Sequence, residues 1–275
     1  MKTITLVPVG GLGNRIRVIE SGIRLAKVVN SMLKIIWFKD KGMGSRYDQL
    51  FCPIADENIQ VIDALFTDFF YDRPRLKNFF LPYFSEKLLF DFCLYEKQTC
   101  NQLKIIDYED ISINKNIYIA SFVPFYVNHK NNYYDLFKPI PELQEKIDKV
   151  VELFTCNTVG VQIRRGDNTT STELSPTSLF IDKMNTEKDS LFYLATDSNE
   201  VKENLTNLFH ERVLYQNCLL DRRSKQGIQQ ALIELFILSK TKKIYGSYYS
   251  SFGEVAALIG KTDFEILSTK SNLTV

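Results

Sequence analysis

The sequence lacks several features that would place it in a broad class of proteins. No stretch approaches the roughly 18 consecutive apolar residues of a membrane-spanning helix, and the apolar run near the N-terminus is too short for a signal peptide. The 34 basic and 33 acidic side chains leave a formal net charge of only +1. General binding to nucleic acid or to anionic membranes requires a basic excess, so neither is predicted. Peripheral association with a membrane is left open.

Cysteine and histidine are also scarce, and this limits redox and metal chemistry. The five cysteines are odd in number and show no Cys-x-x-Cys spacing, which predicts free thiols and a cytoplasmic protein. The two histidines, His129 and His210, are far apart in the sequence, so joint ligation of a metal ion by them is not expected. The Asp-x-Asp motif that often binds Mn²⁺ or Mg²⁺ is missing as well.

Two enzyme signatures are likewise missing. No Gly-Lys-Ser/Thr follows the glycine turn after the first predicted strand, which disfavours a P-loop kinase or a sulfotransferase. The chain also has no Gly-x-Ser-x-Gly turn, which disfavours a serine hydrolase.

The sequence does contain a regular alternation of strands and helices. Strand 3–9 is followed by two glycines, a helix from about residue 14 and strand 33–38, which is a βαβ unit. Further strands are predicted at 116–120, 158–163, 190–195, 212–215, 243–246 and 264–267, with helices between those of the second half. This order predicts an α/β fold with parallel sheets. The 275 residues are expected to form two domains, at 1–150 and 151–275.

The sharpest local pattern follows strand 158–163. In the sequence VGVQIRRGD, Arg164 and Arg165 come directly after the strand, and Asp167 lies two residues further on. Ligands of parallel α/β sheets bind beside the carboxyl ends of the strands, where two guanidinium groups can hold a diphosphate. The alternative is a surface arginine pair bonded to Asp167 and other carboxylates, and the spacing alone does not decide between the two.

A glycine-rich turn, GGLGNR, follows the first strand. Gly11 and Gly13 let the backbone approach a ligand, and the helix that begins near Asn14 offers N–H groups to an anion. The turn matches neither Gly-x-Gly-x-x-Gly nor a P-loop. An ordinary strand-to-helix turn is the alternative explanation.

Two further polar turns follow strands of the second half. Ser250 and Ser251 lie between strand 243–246 and a helix, where they either seat a phosphate or cap the helix. Asp197 follows strand 190–195 and either accepts hydrogen bonds from a nucleoside or caps the next helix. Four polar clusters at strand ends indicate a ligand site more strongly than any one of them does.

Three of these blocks, in the same order, resemble the fucosyltransferase superfamily that includes the nodulation, α-1,6- and protein O-fucosyltransferases. The blocks are GLGNR from Gly11, QIRRGD from Gln162, and the segment from Gly246 to Glu254. The stretch ALIELFILSK, from Ala231, resembles the helix that precedes the third block. The arginine block is the most specific of the three.

The resemblance implies a GT-B fold, in which two Rossmann-like domains face each other across a cleft. Residues 1–150 would form the acceptor side and residues 151–275 the nucleotide-sugar-binding domain. The implied reaction is an inverting, metal-independent transfer of fucose from GDP-fucose to a glycan acceptor, with no cofactor. Arg164 would contact the donor β-phosphate. The other implied donor-site residues are Gly11, Gly13, Asn14, Arg165, Asp197, Ser250, Ser251 and Phe252.

The sequence does not decide which residue is the catalytic base, and it departs from the family pattern at one position. The arginine block of the family usually begins with histidine, whereas this chain has Gln162, which cannot carry a proton. Asp167 or Glu173 is the candidate base for the acceptor hydroxyl, although Glu173 also fits a helix start capped by Ser175. The aromatic-rich region 66–140 is expected to hold the acceptor. The competing hypotheses are a transferase for another nucleotide sugar and a non-catalytic nucleotide- or carbohydrate-binding relative.

Overall fold

The computed structural model describes residues 2–78, 80–96, 116–127, 131–166, 168–217 and 221–270. The chain divides into two compact units. The first comprises Met1–Ile140 with Asp221–Gln229, and the second comprises Pro141–Leu220 with Gln230–Val275. The chain therefore passes between the units three times, and the last passage lies inside a helix, Lys225–Leu238.

The first unit is built on a parallel sheet. Its strands are β1 (Thr3–Pro8), β2 (Met32–Trp37), β3 (Ile59–Asp63), β4 (Phe92–Leu94) and β5 (Asn116–Ser121). They pair in the order β3-β2-β1-β5-β4. The described helices are α1 (Leu12–Val28) and α2 (Leu81–Leu89), with 3₁₀ turns at Tyr47–Gln49, Phe66–Tyr71, Leu76–Asn78 and Tyr134–Leu136.

β1 is the central strand of this sheet because both of its faces are apolar. Leu6 and Val7, which point to opposite faces, are both buried. α1 packs its buried stripe, including Ile16 and Ile23, on the sheet. Gly22 allows close contact, since a Cβ there would lie 2.6 Å from Leu6 Cδ2.

The second unit is built on another parallel sheet. Its strands are β6 (Thr158–Ile163), β7 (Leu191–Thr196), β8 (Val213–Tyr215), β9 (Lys243–Ser247) and β10 (Asp263–Leu267), in the order β10-β9-β6-β7-β8. Its helices are α3 (Pro141–Val151), α4 (Thr169–Leu174), α5 (Thr177–Thr186), α6 (Asn199–Phe209), α7 (Lys225–Leu238, shared with the first unit) and α8 (Ser251–Gly260), with a 3₁₀ turn at His210–Arg212.

The alternation of side chains along β6 determines what covers each face. Val159, Val161 and Ile163 join one buried cluster with side chains of α5 and α6. Gly160 lies on the other face, where a Cβ would be 3.0 Å from Leu238 Cδ2 of α7. β6 is therefore buried on both faces, and only its carboxyl end is available to a ligand.

The predicted α/β class with parallel sheets is confirmed. The predicted strands agree with β1, β2 and β5 to β10 within one residue at each end. Three differences remain. β3, β4, α2 and α4 were not predicted. β3, β4 and α4 have at most six residues, and α2 lies in the aromatic-rich region, whose sequence pattern is irregular. α1 begins two residues before Asn14. The units also differ from the predicted division at residue 150, since α3 belongs to the second unit and Asp221–Gln229 to the first.

Candidate functional site

The candidate site of the second unit lies where the strand order reverses. β6 continues to β7 and β8 on one side, whereas β9 and β10 pair on its other side. The carboxyl ends of β6 and β9 therefore flank a crevice of the kind that binds ligands in open α/β sheets. Arg164 follows β6, and its backbone N donates to Ser247 Oγ at the end of β9, over 3.0 Å.

Asp197, at the end of β7, holds in place the loop that carries Arg164 and Arg165, which we call the arginine loop. Its Oδ2 forms an ion pair with Arg164 Nη1 at 2.6 Å, and its Oδ1 accepts a 2.7 Å hydrogen bond from the backbone N of Arg165. The Arg164 and Asp197 side chains are 20% and 15% exposed. The pair is thus shielded enough to be ordered, yet still reaches solvent.

This arrangement changes the interpretation of Asp197. Its described contacts serve the arginine loop, whereas the sequence suggested a nucleoside contact or a helix cap. The cap of α6 is instead Ser198, whose side chain accepts a hydrogen bond from Val201 N.

Gly166 is required by the same contact. Its φ of +31° lies in the left-handed region, and a Cβ there would lie 2.6 Å from Asp197 Oδ2. A larger residue would therefore push the carboxylate away from Arg164.

The two arginines of the loop have different environments. Arg165 Nη1 donates to Arg164 O, and Arg165 Nη2 donates to Thr177 Oγ1 at the start of α5, both over 2.7 Å. Burial lowers the pKa of Arg165, with Asp197 acting in the opposite direction. The Arg165 guanidinium therefore ties the arginine loop to α5. Arg164 is the better placed of the two arginines to bind an anion.

The turn that contains Ser250 and Ser251, which we call the serine turn, lies next to the arginine loop. Ser250 is the N-cap residue of α8, but the described backbone of that helix receives no capping bond from its side chain. Ser251 and Phe252 begin the helix and are half-buried. The capping alternative is therefore wrong for the Ser250 side chain, although Ser250 is the residue that precedes the N-terminal N–H groups of a ten-residue helix.

Asn168 and Ser175 hold these loops together, a role that the sequence suggested for neither residue. Asn168 Nδ2 donates to Tyr249 O over 3.0 Å, while its Oδ1 caps α4. The buried Ser175 Oγ donates to Leu267 O and accepts from Tyr248 N. The sequence had suggested Ser175 as a helix cap, and the only signal for Asn168 was its position after a predicted strand.

The two candidate bases have different outcomes. Asp167 lies outside the described residues. Glu173 is exposed near the end of α4. The predicted helix start lies close by, since α5 begins at Thr177 with Pro176 as its N-cap, whereas Ser175 is the C-cap of α4 and does not cap α5.

Gln162 is a packing position in this structure. Its side chain is 4% exposed, and its Oε1 is 3.3 Å from the position of a Cβ on Gly253 in α8. Oε1 has no hydrogen-bond partner in the described part of the chain. The amide therefore lies beneath the N-terminal turn of α8, on the face of β6 opposite to α5 and α6.

The glycine turn lies at the corresponding reversal point of the first unit, between β1 and β5. Gly10 has a φ of +87° and Gly11 is the N-cap of α1. A Cβ on Gly11 would meet no described atom within 4 Å, so its surface is open, whereas Gly13 is buried. Asn14 Oδ1 accepts a hydrogen bond from Arg17 Nη2.

Arg15, from the same turn, is a buried structural residue. Its guanidinium donates to Gly10 O, Phe38 O and Asp40 Oδ2, and lies 4.7 Å from the centre of the Trp37 ring. Burial lowers its pKa to about 10. The side chain ties the glycine turn to the end of β2.

The described residues contain neither a metal-binding cluster nor a membrane-spanning helix. No three His, Cys, Asp or Glu side chains within the described ranges are grouped as a metal site requires. No described helix has the length and apolarity needed to cross a bilayer.

Comparisons with known proteins give similarity of fold. No protein-family model matches the chain, and no curated protein matches its sequence. Among solved structures, the fucosyltransferase NodZ from Bradyrhizobium is 16% identical, with a TM-score of 0.61 over 94% of this chain and 92% of that chain. A variant of Arabidopsis thaliana FUT1 in complex with GDP is 17% identical, with a TM-score of 0.60 over 98% and 71%. POFUT1 in complex with GDP-fucose is 11% identical, with a TM-score of 0.53 over 97% of both chains. The resemblance to fucosyltransferases predicted from the sequence is therefore confirmed at the level of the fold.

Proposed function

We propose that this chain is a fucosyltransferase that moves fucose from GDP-fucose to a glycan acceptor. The observation that carries the proposal is the position of Arg164 at the reversal point of the second sheet, paired with Asp197 beside the serine turn. The similar folds of a NodZ α-1,6-fucosyltransferase and of POFUT1 were obtained with GDP-fucose. A diphosphate bound at this point would lie at the end of β6, within reach of a guanidinium and a helix N-terminus.

The proposed reaction inverts the configuration of the transferred carbon and needs no metal. Negative charge develops on the diphosphate as the sugar leaves, and Arg164 stabilises that charge. A well-placed donor of this kind contributes roughly 3–4 kcal/mol to the transition state. The N–H groups at the start of α8, with Ser250 and Ser251, complete the phosphate site. Gly11, Gly13, Asn14 and Phe252 remain proposed donor contacts.

The acceptor hydroxyl is proposed to lose its proton to Asp167 or Glu173 as the new bond forms. Replacement of each by alanine separates the two candidates. A rate at saturating acceptor that equals the wild-type rate rules out the residue that was replaced.

The donor site is tested by thermal stabilisation in EDTA with GDP, GDP-fucose, GDP-mannose, UDP and ADP. We expect GDP and GDP-fucose to raise the Tm of the wild-type chain, and Arg164→Ala to lose this shift. Arg46→Ala is the control, because its half-exposed side chain pairs with Asp48 in the first unit. If none of the nucleotides raises the Tm, the assignment of the donor site is overturned.

Transfer itself is measured without knowledge of the acceptor through the slow hydrolysis of GDP-fucose by water. Released fucose identifies a transferase, and its initial anomeric configuration, read by NMR, tests inversion. Tight GDP binding with no hydrolysis and no transfer to a glycan panel would instead support the non-catalytic relative. A GDP-mannose preference in both assays would support another donor sugar.

A further inference from the structure

The first unit exposes a concentrated apolar surface that the donor site does not use. Sixteen large apolar side chains are exposed in the described chain, and ten of them lie between residues 65 and 89. We call these ten side chains the apolar face: Leu65, Phe66, Phe70, Leu76, Phe80, Leu81, Tyr83, Phe84, Leu88 and Leu89. Clustered exposure of this kind marks interaction surfaces in soluble domains, unlike scattered single residues.

Helix α2 has the reverse of the usual amphipathic pattern. Leu81, Phe84 and Leu88, spaced by three and four residues, share one stripe and are 42%, 66% and 72% exposed. Its buried residues are Pro82 and Glu86. A helix that buries a carboxyl group and exposes leucine and phenylalanine is suited to an apolar medium on its outer side.

The 3₁₀ turn Phe66–Tyr71 extends the same surface. Ser85 Oγ of α2 donates to Phe70 O over 3.2 Å, which fixes the helix to the turn. The Phe69 ring lies 4.3 Å from that of Phe70 and 6.3 Å from that of Phe66. The helix and the turn are therefore one continuous element of surface.

The charges of this segment are distributed unevenly. Its exposed charged side chains are Lys77, whose Nζ lies 3.9 Å from Asp72 Oδ2, and Lys87. Two of its carboxylates, Asp72 and Glu86, are buried, and the third, Asp68, accepts a hydrogen bond from Leu65 N. The apolar face is thus accompanied by two exposed lysines, of which Lys77 also pairs with the Asp72 carboxylate.

We propose that the apolar face docks on the surface of an anionic lipid bilayer. The phenylalanines and leucines enter the boundary between headgroups and acyl chains, and the two lysines bind headgroup phosphates. A carbohydrate partner fits less well, because five of the ten side chains are leucines, which offer a sugar neither a hydrogen bond nor an aromatic ring, and only Tyr83 has a hydroxyl. The near-neutral net charge excludes a general preference for anions, so the binding depends on this local face alone.

Flotation of the full-length chain with lipid vesicles tests the proposal. The vesicles contain phosphatidylcholine alone or phosphatidylcholine with phosphatidylserine. We expect binding to the phosphatidylserine vesicles that weakens with added salt. The double change Phe84→Ser with Leu88→Ser should reduce the partition coefficient at least about 10-fold. The matched control is Leu153→Ser with Leu208→Ser, which alters two other exposed leucines and should leave binding unchanged.

A fluorescent variant gives an independent readout. The chain has one tryptophan, Trp37, which is buried. Phe84→Trp should shift its emission to the blue with phosphatidylserine vesicles and be quenched by brominated lipid, while Leu153→Trp should not respond.

Several results would overturn the lipid assignment. Absence of wild-type binding is one, and equal binding of wild type and the Phe84/Leu88 variant is another. A dimer in sedimentation equilibrium that the same variant dissociates, without vesicle binding, would identify a second copy as the partner. Vesicle binding does not require GDP-fucose, so Arg164→Ala should bind lipid normally even if the proposed function fails.

Discussion

At the scale of single residues, Asp197 and Arg15 are explained by contacts with residues distant in sequence. Asp197, at the end of β7, contacts Arg164 and Arg165 at the end of the neighbouring β6. Arg15, in α1, contacts residues that follow β2. Neither partner set follows from local spacing. The sequence correctly placed Asp197 at the end of a strand, whereas its contacts with Arg164 and Arg165 come from the structure alone.

Asp197→Asn should impair use of the donor more than folding. The amide retains one oxygen for the backbone N of Arg165 but loses the ion pair with Arg164, so the guanidinium is less well oriented. We expect kcat/KM for GDP-fucose hydrolysis to fall about 10- to 100-fold, as for other positioning interactions. The split between kcat and KM, with Tm measured in parallel, checks this. Asp189→Asn, at an exposed position, is the control, and a Tm loss that accounts for the whole effect would contradict the prediction.

Arg15→Met should destabilise the first unit. The change leaves Gly10 O, Phe38 O and the Asp40 carboxylate without their donor, and removal of one partner from a buried ion pair costs about 3–5 kcal/mol. Urea unfolding measures the free energy of unfolding. Arg46→Met, at a half-exposed position, should cost much less. Equal losses in the two variants would show that burial of Arg15 has no special role.

At the scale of secondary-structure elements, the strands were predicted far better than the aromatic-rich segment. All residues of β6 are buried, so the strand is a mostly apolar run in the sequence, and its two ends could be predicted from that run. The buried side of α2 could not be predicted from apolar residues, since these point outward and Glu86 points inward. The apolar pattern that normally identifies the buried side of a helix indicates the opposite side here.

Glu86→Gln should remove a pH dependence of stability that belongs to α2. Burial raises the pKa of Glu86 from 4.5 to about 8, with Tyr95 and Tyr118 nearby acting in the opposite direction. The folded state thus binds the proton more tightly than the unfolded state. The associated stability is complete below pH 4.5 and is lost as the pH rises towards 8. The glutamine variant should therefore be more stable than wild type at pH 8, by roughly 2–4 kcal/mol.

The measurement is urea unfolding of both chains from pH 5 to 9, with Glu142→Gln, whose side chain is 70% exposed, as the control. The difference between Glu86→Gln and wild type should grow with pH, while the control should follow wild type. A difference that is constant over this range would show that Glu86 ionises normally in the folded chain.

At the scale of the whole molecule, the units are not the two halves of the chain. Asp221–Gln229 belongs to the first unit, where Gly44 N donates to Arg222 O and Gln229 Nε2 donates to Gln49 O. A Cβ on Gly44 would collide with the Arg223 backbone. The first unit is thus incomplete without a segment from far along the chain.

A fragment of residues 1–140 should therefore be less stable than the first unit in the full chain. We expect a broad, low-temperature unfolding transition by circular dichroism, sharpened by addition of a peptide that spans residues 221–238. A scrambled peptide of the same composition is the control. A cooperative transition of the fragment alone at the full-chain Tm would show that the late segment is dispensable.

The sequence by itself determined the α/β class, eight of the ten strands of the two described sheets and the arginine pair at a strand end. These features depend on burial and on side-chain period, which are properties of neighbouring residues. Only the tertiary structure decided that Asp197 holds Arg164, that Arg165 faces inward, that residues 221–229 complete the first unit and that α2 exposes its apolar stripe. The physical reason is that such contacts join residues brought together by strand order and packing, and no local pattern records which distant partner fills each position.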